Sequence, residues 1–200
     1  MTVSRTRMSP EARRRQFIDL GVQMAREQPL DTVTIEAVAD AAGVSKGLLF
    51  HYFESKADFH LAVVREQAQE MIDRTAPRED LTDPIEMLQA SVTAYVDYVT
   101  DIGQGFIGVI RGSGNSIAGI RDVAESTRQV MSERILTHTP ALGIERTPAI
   151  ELAVAGWIAY VEEMLVRWLA DPVVDRETLI AMFVTALPAL AGISDALTDA

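Results

Sequence analysis

The sequence predicts an all-α protein in two parts, a small N-terminal unit of three helices and a larger C-terminal helical domain. Apolar residues recur at spacings of three and four through almost every segment, which is the period of an amphipathic helix. No segment shows the alternation of a convincing strand. Ser, Thr or Asp residues also stand where several of these apolar periods begin, as helix N-caps do.

Composition and charge are those of a globular protein with a locally basic start. Of the 200 residues, 48% are hydrophobic and 24% are charged, which allows an ample core. Cysteine is absent, which excludes disulfides and thiolate metal sites and favours a cytoplasmic protein. The net charge of −11 falls entirely on residues 61–200. Five arginines within residues 1–15 form a basic arm that can reach phosphates.

The most apolar stretch of the chain, residues 149–170, has the length of a membrane span. Charged residues interrupt it at Glu151, Glu162, Glu163 and Arg167. Charges at such depth are costly in lipid, so we expect a helix that is buried in a protein core and no membrane partner. The first ten residues are polar and basic and show no apolar core of a signal peptide.

Capping and breaking residues divide the first 75 positions into four predicted helices. A Ser-Pro start, a following Pro, an N-capping Thr, a left-handed Gly and two further Ser caps mark their ends. The predicted helices span about 10–28, 35–42, 45–53 and 55–75. The domain boundary is expected inside the fourth helix, with residues 1–60 in the first domain and 61–200 in the second.

The second domain is predicted to hold four further long helices and a glycine-rich segment. An Asp83-Pro84 start precedes a seam of apolar residues that ends at Ile102. Residues 103–116 read as a short helix between bends. Further helices are predicted at about 116–137, 148–170 and 175–197, with a loop at 139–147. Pro188 is expected to kink the last helix, because it cannot donate to the carbonyl four residues back.

The most specific pattern of the chain runs from Thr34 to Lys56. An amphipathic helix of seven or eight residues ends at Gly43, and Ser45 begins another at once. This is a helix-turn-helix, a motif whose second helix enters the major groove of DNA with its first residues towards the bases. Small residues such as Gly47 allow a close approach, and Lys46 can reach a guanine edge or a phosphate.

This stretch resembles the DNA-binding domain of the TetR (tetracycline-repressor-like) family over residues 10–60. The matching positions are Thr34, Ala42-Gly43-Val44-Ser45, Gly47, Leu49-Phe50, Tyr52-Phe53 and Lys56. The resemblance implies a ligand-responsive transcription regulator, most often a repressor, that binds a palindromic double-stranded operator as a homodimer. The alternative is a helical ligand-binding or interaction protein without specific operator binding.

The resemblance also implies roles for individual residues. Thr34, Tyr52 and Lys56 would hold phosphates, and His51 could contact one too. Lys46 and Phe50 would lie nearest the bases, where Phe50 replaces the tyrosine that is common in the family and offers apolar contact alone. The full predicted DNA-binding set is Thr34, Ser45, Lys46, Gly47, Leu48, Phe50, His51, Tyr52 and Lys56.

The last two helices carry more apolar residues than one side can cover. We therefore expect them to form a four-helix interface with a second copy of the chain, as the resemblance also implies. The predicted interface residues are Val154, Ile158, Val161, Leu165, Trp168, Leu179, Phe183, Leu187 and Leu190.

Aromatic and methionine residues of the second domain have two readings. They are ordinary core, or they line a pocket for a largely apolar small-molecule effector with a few polar anchors. The candidate ligand-binding residues are Tyr95, Tyr98, Phe106, Ile110, Arg111, Asn115, Met131, Trp157, Glu162 and Met164.

Patterns that would indicate an enzyme lack their structural context. Residues 103–108 match G-x-G-x-x-G but follow a predicted helix rather than a strand. Residues 114–118 only half resemble a nucleophile elbow. The three histidines lack metal-ligand spacing, and the adjacent Glu162 and Glu163 point to different sides of a helix. We expect no catalytic residues, no metal and no cofactor.

Overall fold

The structure, a computed structural model, describes residues 8–103, 107, 108, 110 and 119–198, and it confirms the all-α prediction. Within these residues the regular structure is helical and no strand occurs. The long elements are α1 (Pro10–Glu27), α2 (Ile35–Ala42), α3 (Lys46–Tyr52), α4 (Lys56–Arg74), α5 (Pro84–Ile102), α6 (Ile120–His138), α7 (Pro148–Ala170) and α8 (Arg176–Thr198). Short 3₁₀ turns lie at Leu30–Thr32 and Thr139–Leu142, and the second of them falls inside the predicted loop.

Several helix ends are set by the side chains that the sequence indicated. The Thr34 hydroxyl accepts a hydrogen bond from the Ala37 N–H at 3.1 Å, and Ser55 caps α4 in the same way. Gly43 ends α2 at φ 67°, a left-handed conformation that favours glycine. Helix α6 begins later than predicted, at Ile120, after a left-handed Gly119.

Helices α1 to α4 enclose a first hydrophobic core. Its centre is built from fully buried aromatic and aliphatic side chains: Phe17, Val33, Val38, Leu49, Phe53, Phe59 and Val63. Helices α1 and α4 approach so closely that a Cβ on Gly21 would lie 2.6 Å from side-chain atoms of Phe59 and Val63. This core fixes the position of α2 and α3 on α4.

A second, larger core lies among α5, α7 and α8, with α6 packed beside it. Buried residues at its centre include Val96, Val99, Leu165, Leu179 and Phe183. The Trp157 indole N–H donates to the Phe183 carbonyl at 2.9 Å, which ties α7 to α8. None of the described helices has both the length and the apolar content that crossing a membrane requires.

Helix α4 takes part in both cores. Its first half contributes Phe59 and Val63 to the first core, whereas Met71 packs against the second. The Tyr98 hydroxyl donates to the Gln67 carbonyl at 2.7 Å and joins α5 to the middle of α4. The boundary predicted between residues 60 and 61 therefore falls within a continuous helix, and it stays a prediction.

His60 is a buried histidine that joins α4 to the segment before α2. Its Nε2 lies 2.8 Å from the Val33 carbonyl oxygen, and burial lowers its pKa below the ordinary histidine value. The neighbouring Lys56 charge lowers it further, whereas Asp31 and the Val33 hydrogen bond act in the opposite direction. The folded protein therefore keeps His60 neutral at a pH where the unfolded chain already binds a proton.

We expect acid to destabilise the protein through His60. The unfolded chain binds more protons as pH falls through about 6.5, so the free energy of unfolding should decrease there. Urea denaturation at pH 7.5 and pH 5.5 measures the difference, and His60→Gln should reduce it. His51→Gln, which removes an exposed histidine from the same domain, is the matched control. An unchanged pH dependence in His60→Gln would contradict this account.

Candidate DNA-binding surface and internal cavity

Helix α3 presents a polar face to solvent while one side chain anchors it. Leu49 is fully buried in the first core. Ser45, Lys46, Gly47, Phe50 and His51 are all exposed. Leu48 is half-buried against the same core, so it offers less surface than we predicted.

Gly47 has no role inside the protein that requires a glycine. Among the described residues, a Cβ built at this position meets no atom within 4 Å beyond its own stretch of helix, and its backbone lies outside the left-handed region. Glycine in a helix weakens it relative to alanine. Gly47 thus weakens α3 and is not required by packing inside the protein. On an exposed face, the absence of a side chain allows another molecule to approach the helix closely.

Lys46 is held by a carboxylate that the sequence analysis missed. Its ammonium group forms an ion pair with Glu36 in the first turn of α2, and it lies 5.7 Å from the centre of the Phe50 ring. The hydrogen bond from Lys46 lowers the pKa of Glu36, so the carboxylate is charged at neutral pH. The sequence signal was the acidic residue two positions after Thr34, inside the motif itself.

The three residues expected to hold phosphates also serve the fold. Thr34 caps α2, as described, and remains exposed. Tyr52 is half-buried, with its ring edge against Phe17 at a centroid distance of 5.5 Å. The Lys56 ammonium donates to the Asp31 carbonyl oxygen at 2.7 Å. Substitution of Tyr52 or Lys56 would therefore affect local structure as well as any contact with DNA.

The basic arm is less available than its composition suggests. Arg15 faces α4, where its guanidinium donates to both carboxylate oxygens of Glu66 at 2.6 and 3.0 Å, and it also pairs with Asp19. Arg15 therefore has acidic partners on both α1 and α4, while its side chain remains exposed. Arg14 stacks over Phe53 at 5.0 Å. Arg5 and Arg7 lie outside the described residues.

An internal cavity of about 150 Å³ lies in the second domain, where α5, α6, α7 and the end of α4 meet. Apolar side chains form most of its wall, among them Met71, Leu88, Met131, Trp157 and Leu187. Its polar wall residues include Ser91, Tyr95, Arg128, Arg134, His138 and Glu162. An apolar chamber with a few polar groups is the usual form of a small-molecule site.

Four of the predicted ligand-binding residues line this cavity: Tyr95, Met131, Trp157 and Glu162. Tyr98, Ile110 and Met164 are not among the residues that line this cavity. Tyr98 is instead buried where α5 packs on α4. Phe106, Arg111 and Asn115 lie outside the described residues. Helical periodicity placed all these residues near the core but could not say which of them face a cavity.

Glu162, one of the charged residues in the apolar stretch 149–170, forms an ion pair with Arg128. The Arg128 Nε lies 3.0 Å from both carboxylate oxygens. Burial raises the pKa of Tyr95 far above its usual range, and the Glu162 charge raises it further, so the phenol keeps its proton. Glu163 turns outward to Arg167, as the different-sides prediction required.

Most of the predicted dimer-interface residues are buried within the chain itself. Seven of the nine residues are buried in the chain's own second core: Val154, Ile158, Val161, Leu165, Leu179, Phe183 and Leu187. Trp168 is half-buried and donates its indole N–H to the Val174 carbonyl oxygen. Only Leu190 is exposed. The buried residues therefore offer little surface to a second copy of the chain, and their place in an interface stays a prediction.

The outer faces of α7 and α8 carry small, uncharged residues instead. Exposed positions on α7 include Leu152, which is 75% exposed, and on α8 they include Leu190. The remaining exposed positions of this surface, which we call the outer face, are Ala155, Gly156 and Ala159 on α7 and Ala181, Thr185, Ala189 and Gly192 on α8. Between Leu152 and Ala159 no exposed residue is charged.

The described residues contain no group of three or more His, Asp or Glu side chains that could hold a metal ion. His51 is exposed on α3, His60 is bound to the Val33 carbonyl, and His138 lines the cavity. They therefore stand in three separate surroundings, as their spacing in the sequence suggested.

Two protein-family models match the chain. Residues 17–63 match the model described as "Bacterial regulatory proteins, tetR family". Residues 84–190 match the model described as "Tetracyclin repressor-like, C-terminal domain". The first match contains α2, α3 and the turn between them. The second contains most of the cavity wall and most of the outer face.

The curated relatives include both an activator and a repressor of transcription. The chain is 29% identical to the transcriptional activator FasR of Mycolicibacterium smegmatis over 50% of this chain and 46% of FasR. It is 31% identical to the transcriptional repressor KstR2 of the same organism over 46% of this chain and 52% of KstR2. The chain thus spans about half the length of these curated relatives.

Solved structures extend the likeness to nearly the whole chain. A TetR-family regulator from Streptomyces coelicolor is 29% identical, with a TM-score of 0.85 over 95% of this chain and 85% of that one. FadR from Bacillus subtilis, solved in complex with stearoyl-CoA, is 19% identical and has a TM-score of 0.62 over 88% of this chain and 97% of that one, which shows a shared fold. With one family model matching more than half of its residues, this chain belongs to the TetR family of transcriptional regulators.

Proposed function

We propose that this protein is a dimeric transcriptional repressor that binds a palindromic operator through α2 and α3 and is released by a small-molecule effector. The observation that carries the DNA-binding part is the exposed face of α3. Gly47 there has no internal reason to be glycine, and Lys46 stands at the first turn of the helix. In a helix-turn-helix these positions lie against base edges.

The outer face supports the dimer. Its alanines and glycines allow helices to approach closely. Over two turns of α7 it has no exposed charged residue that would lose its hydration on contact with another chain. A two-fold dimer would place α7 and α8 against the same helices of a second copy, with identical residues meeting near the axis. Such a dimer carries two copies of α3, as a palindromic operator requires.

The cavity supports the effector. FadR, which shares the fold, is solved with stearoyl-CoA, and the KstR2 name states that it is a repressor. In this chain the cavity wall touches the helix that carries the DNA-binding unit. The Arg134 guanidinium on α6 donates to the Ile72 carbonyl oxygen at 2.7 Å and lies 3.3 Å from the Thr75 hydroxyl at the end of α4. A ligand that shifts α6 would therefore act on α4.

The function is tested by fluorescence anisotropy with the DNA upstream of the protein's own gene and with a random-sequence selection. We expect binding that depends on a palindrome and weakens as salt rises. Lys46→Ala should cost about 1–3 kcal/mol and alter base preference. Lys56→Ala should weaken all sequences alike and lower the salt slope by about one.

Arg121→Ala, which removes a positive charge from an exposed position on α6, is the matched control and should leave operator binding unchanged. Binding no stronger than that to unrelated DNA, in both experiments, would contradict the proposal. A helical ligand-binding protein would then be the better account. A promoter-reporter assay with and without the gene distinguishes repression from activation.

A further inference from the structure

We propose that the cavity binds a carboxylic acid with a compact apolar body, and that Arg134 pairs with its carboxylate. This inference rests on the proposed function, since it names the chemical class of the effector that the cavity would take.

The described wall of the cavity carries one uncompensated positive charge. Its charged residues are Arg128, Arg134 and Glu162. Glu162 is 13% exposed and is already paired with Arg128 through both of its oxygens. Among the described residues, no carboxylate lies within ion-pair distance of Arg134. An anionic group in the cavity would restore the balance.

The partners of Arg134 leave most of its hydrogen-bonding capacity unused. One terminal nitrogen donates to the Ile72 carbonyl and contacts the Thr75 hydroxyl, and both of these acceptors are neutral. A guanidinium has five N–H donors in a planar fork that matches the two oxygens of a carboxylate. Arg134 is also half-buried, where a charge without a counter-ion is costly. These conditions favour a bound carboxylate.

The remaining wall selects the body of the ligand. Met71, Met131 and Trp157 offer apolar and polarisable surface in the same cavity as Arg134, Thr75 and His138. A cavity of about 150 Å³ is of the size that holds one benzene ring. A second carboxylate on the ligand would find no free positive charge at the other polar cluster, because Arg128 there is already paired with Glu162. The expected class is thus a monocarboxylic acid with an aromatic ring or a short aliphatic chain.

The experiment uses two matched pairs of probes that differ in charge: benzoate with benzyl alcohol, and octanoate with octan-1-ol. Isothermal titration calorimetry on the full chain at pH 7.5 measures the dissociation constant of each. We expect at least one acid to bind about tenfold or more tightly than its alcohol, as a charge-assisted pair allows. This comparison needs no variant, so it does not depend on the folding of one.

Variants then assign the preference to Arg134. Arg134→Gln should bring the acid down to the affinity of its alcohol without changing the alcohol, and Arg134→Lys should restore part of the difference. Arg121→Gln on the same helix is the matched control and should leave every constant unchanged. The inference is overturned if the alcohols bind as tightly as the acids, if neither acid binds, or if the preference survives in Arg134→Gln.

Operator binding is measured on the same samples, which separates the two proposals. Operator binding without any preference for the acids would overturn the inference and leave the proposed function standing. A preference for the acids without operator binding would support the carboxylate site and overturn the proposed function.

Discussion

Gly47→Leu is expected to abolish operator binding and to leave the protein at least as stable as before. A Cβ at this position meets no atom of the described residues beyond its own stretch of helix, and any other residue here replaces one that weakens a helix by about 0.5–1 kcal/mol relative to alanine. On the DNA side it would fill the space that a base edge must occupy. We expect an operator affinity lower by about 100-fold or more, which corresponds to about 3 kcal/mol.

Two measurements on the same preparation check this prediction: thermal denaturation for stability and anisotropy for the operator. Gln69→Leu, which places a leucine on an exposed position of α4 outside the helix-turn-helix, is the matched control. Unchanged or higher stability together with lost operator binding would show that Gly47 serves contact with DNA and not the fold. Operator binding by Gly47→Leu at the original affinity would show that α3 does not enter a groove as proposed.

Ala159→Glu is expected to separate the dimer. Ala159 lies near the middle of the outer face on α7, and a two-fold interface would bring the new carboxylate close to its own symmetry copy. Two like charges in a closely packed apolar contact are strongly unfavourable, because neither is paired or solvated. The chain should then be monomeric at micromolar concentrations, with its fold and its internal core intact.

Loss of the dimer should also lower the affinity for the operator. Two linked DNA-binding units gain about 10²–10⁴ in affinity over one, so Ala159→Glu should lose most of that gain. Sedimentation velocity and anisotropy measure the two effects, and Ala76→Glu, an exposed alanine in the segment between α4 and α5, is the control. A stable dimer of Ala159→Glu would place the interface elsewhere.

Helix ends were the part of the fold that sequence reasoning predicted best. The N-caps Ser9, Thr34 and Ser55 act locally, through a hydroxyl and an N–H three residues later. Gly43 is similarly local, because its conformation depends on its own φ angle. Such features are encoded within a single turn, so they need no knowledge of what packs against the helix.

The outer face could not be predicted by the same reasoning, for a physical reason. Strong hydropathy marks residues such as Leu165 and Phe183, which serve the chain's own core. The small residues of the outer face have weak hydropathy, so they produce no clear hydrophobic pattern in the sequence. Examples are Ala155, Gly156 and Ala159. They become visible only when the structure shows which side of α7 remains exposed.

Charge partners distant in sequence were likewise beyond prediction. Arg128 and Glu162 are 34 residues apart, and Arg134 meets the end of α4 from 62 residues away. No local pattern links such positions, because the link is made by helix packing. Of these three residues, Glu162 was conspicuous in the sequence, because it is an acidic residue in an apolar stretch. The structure shows that its carboxylate is paired.

The continuity of α4 has a mechanical consequence. Its 19 residues make a rod of about 28 Å, with one end at Arg134 and the other beneath α2 and α3. A tilt of about 10° about the first end displaces the second by about 5 Å. In a dimer the two displacements add, whereas successive half-sites on DNA stay about 34 Å apart. In the proposed dimer, a tilt of α4 by this amount would put the two copies of α3 out of step with successive grooves of the DNA.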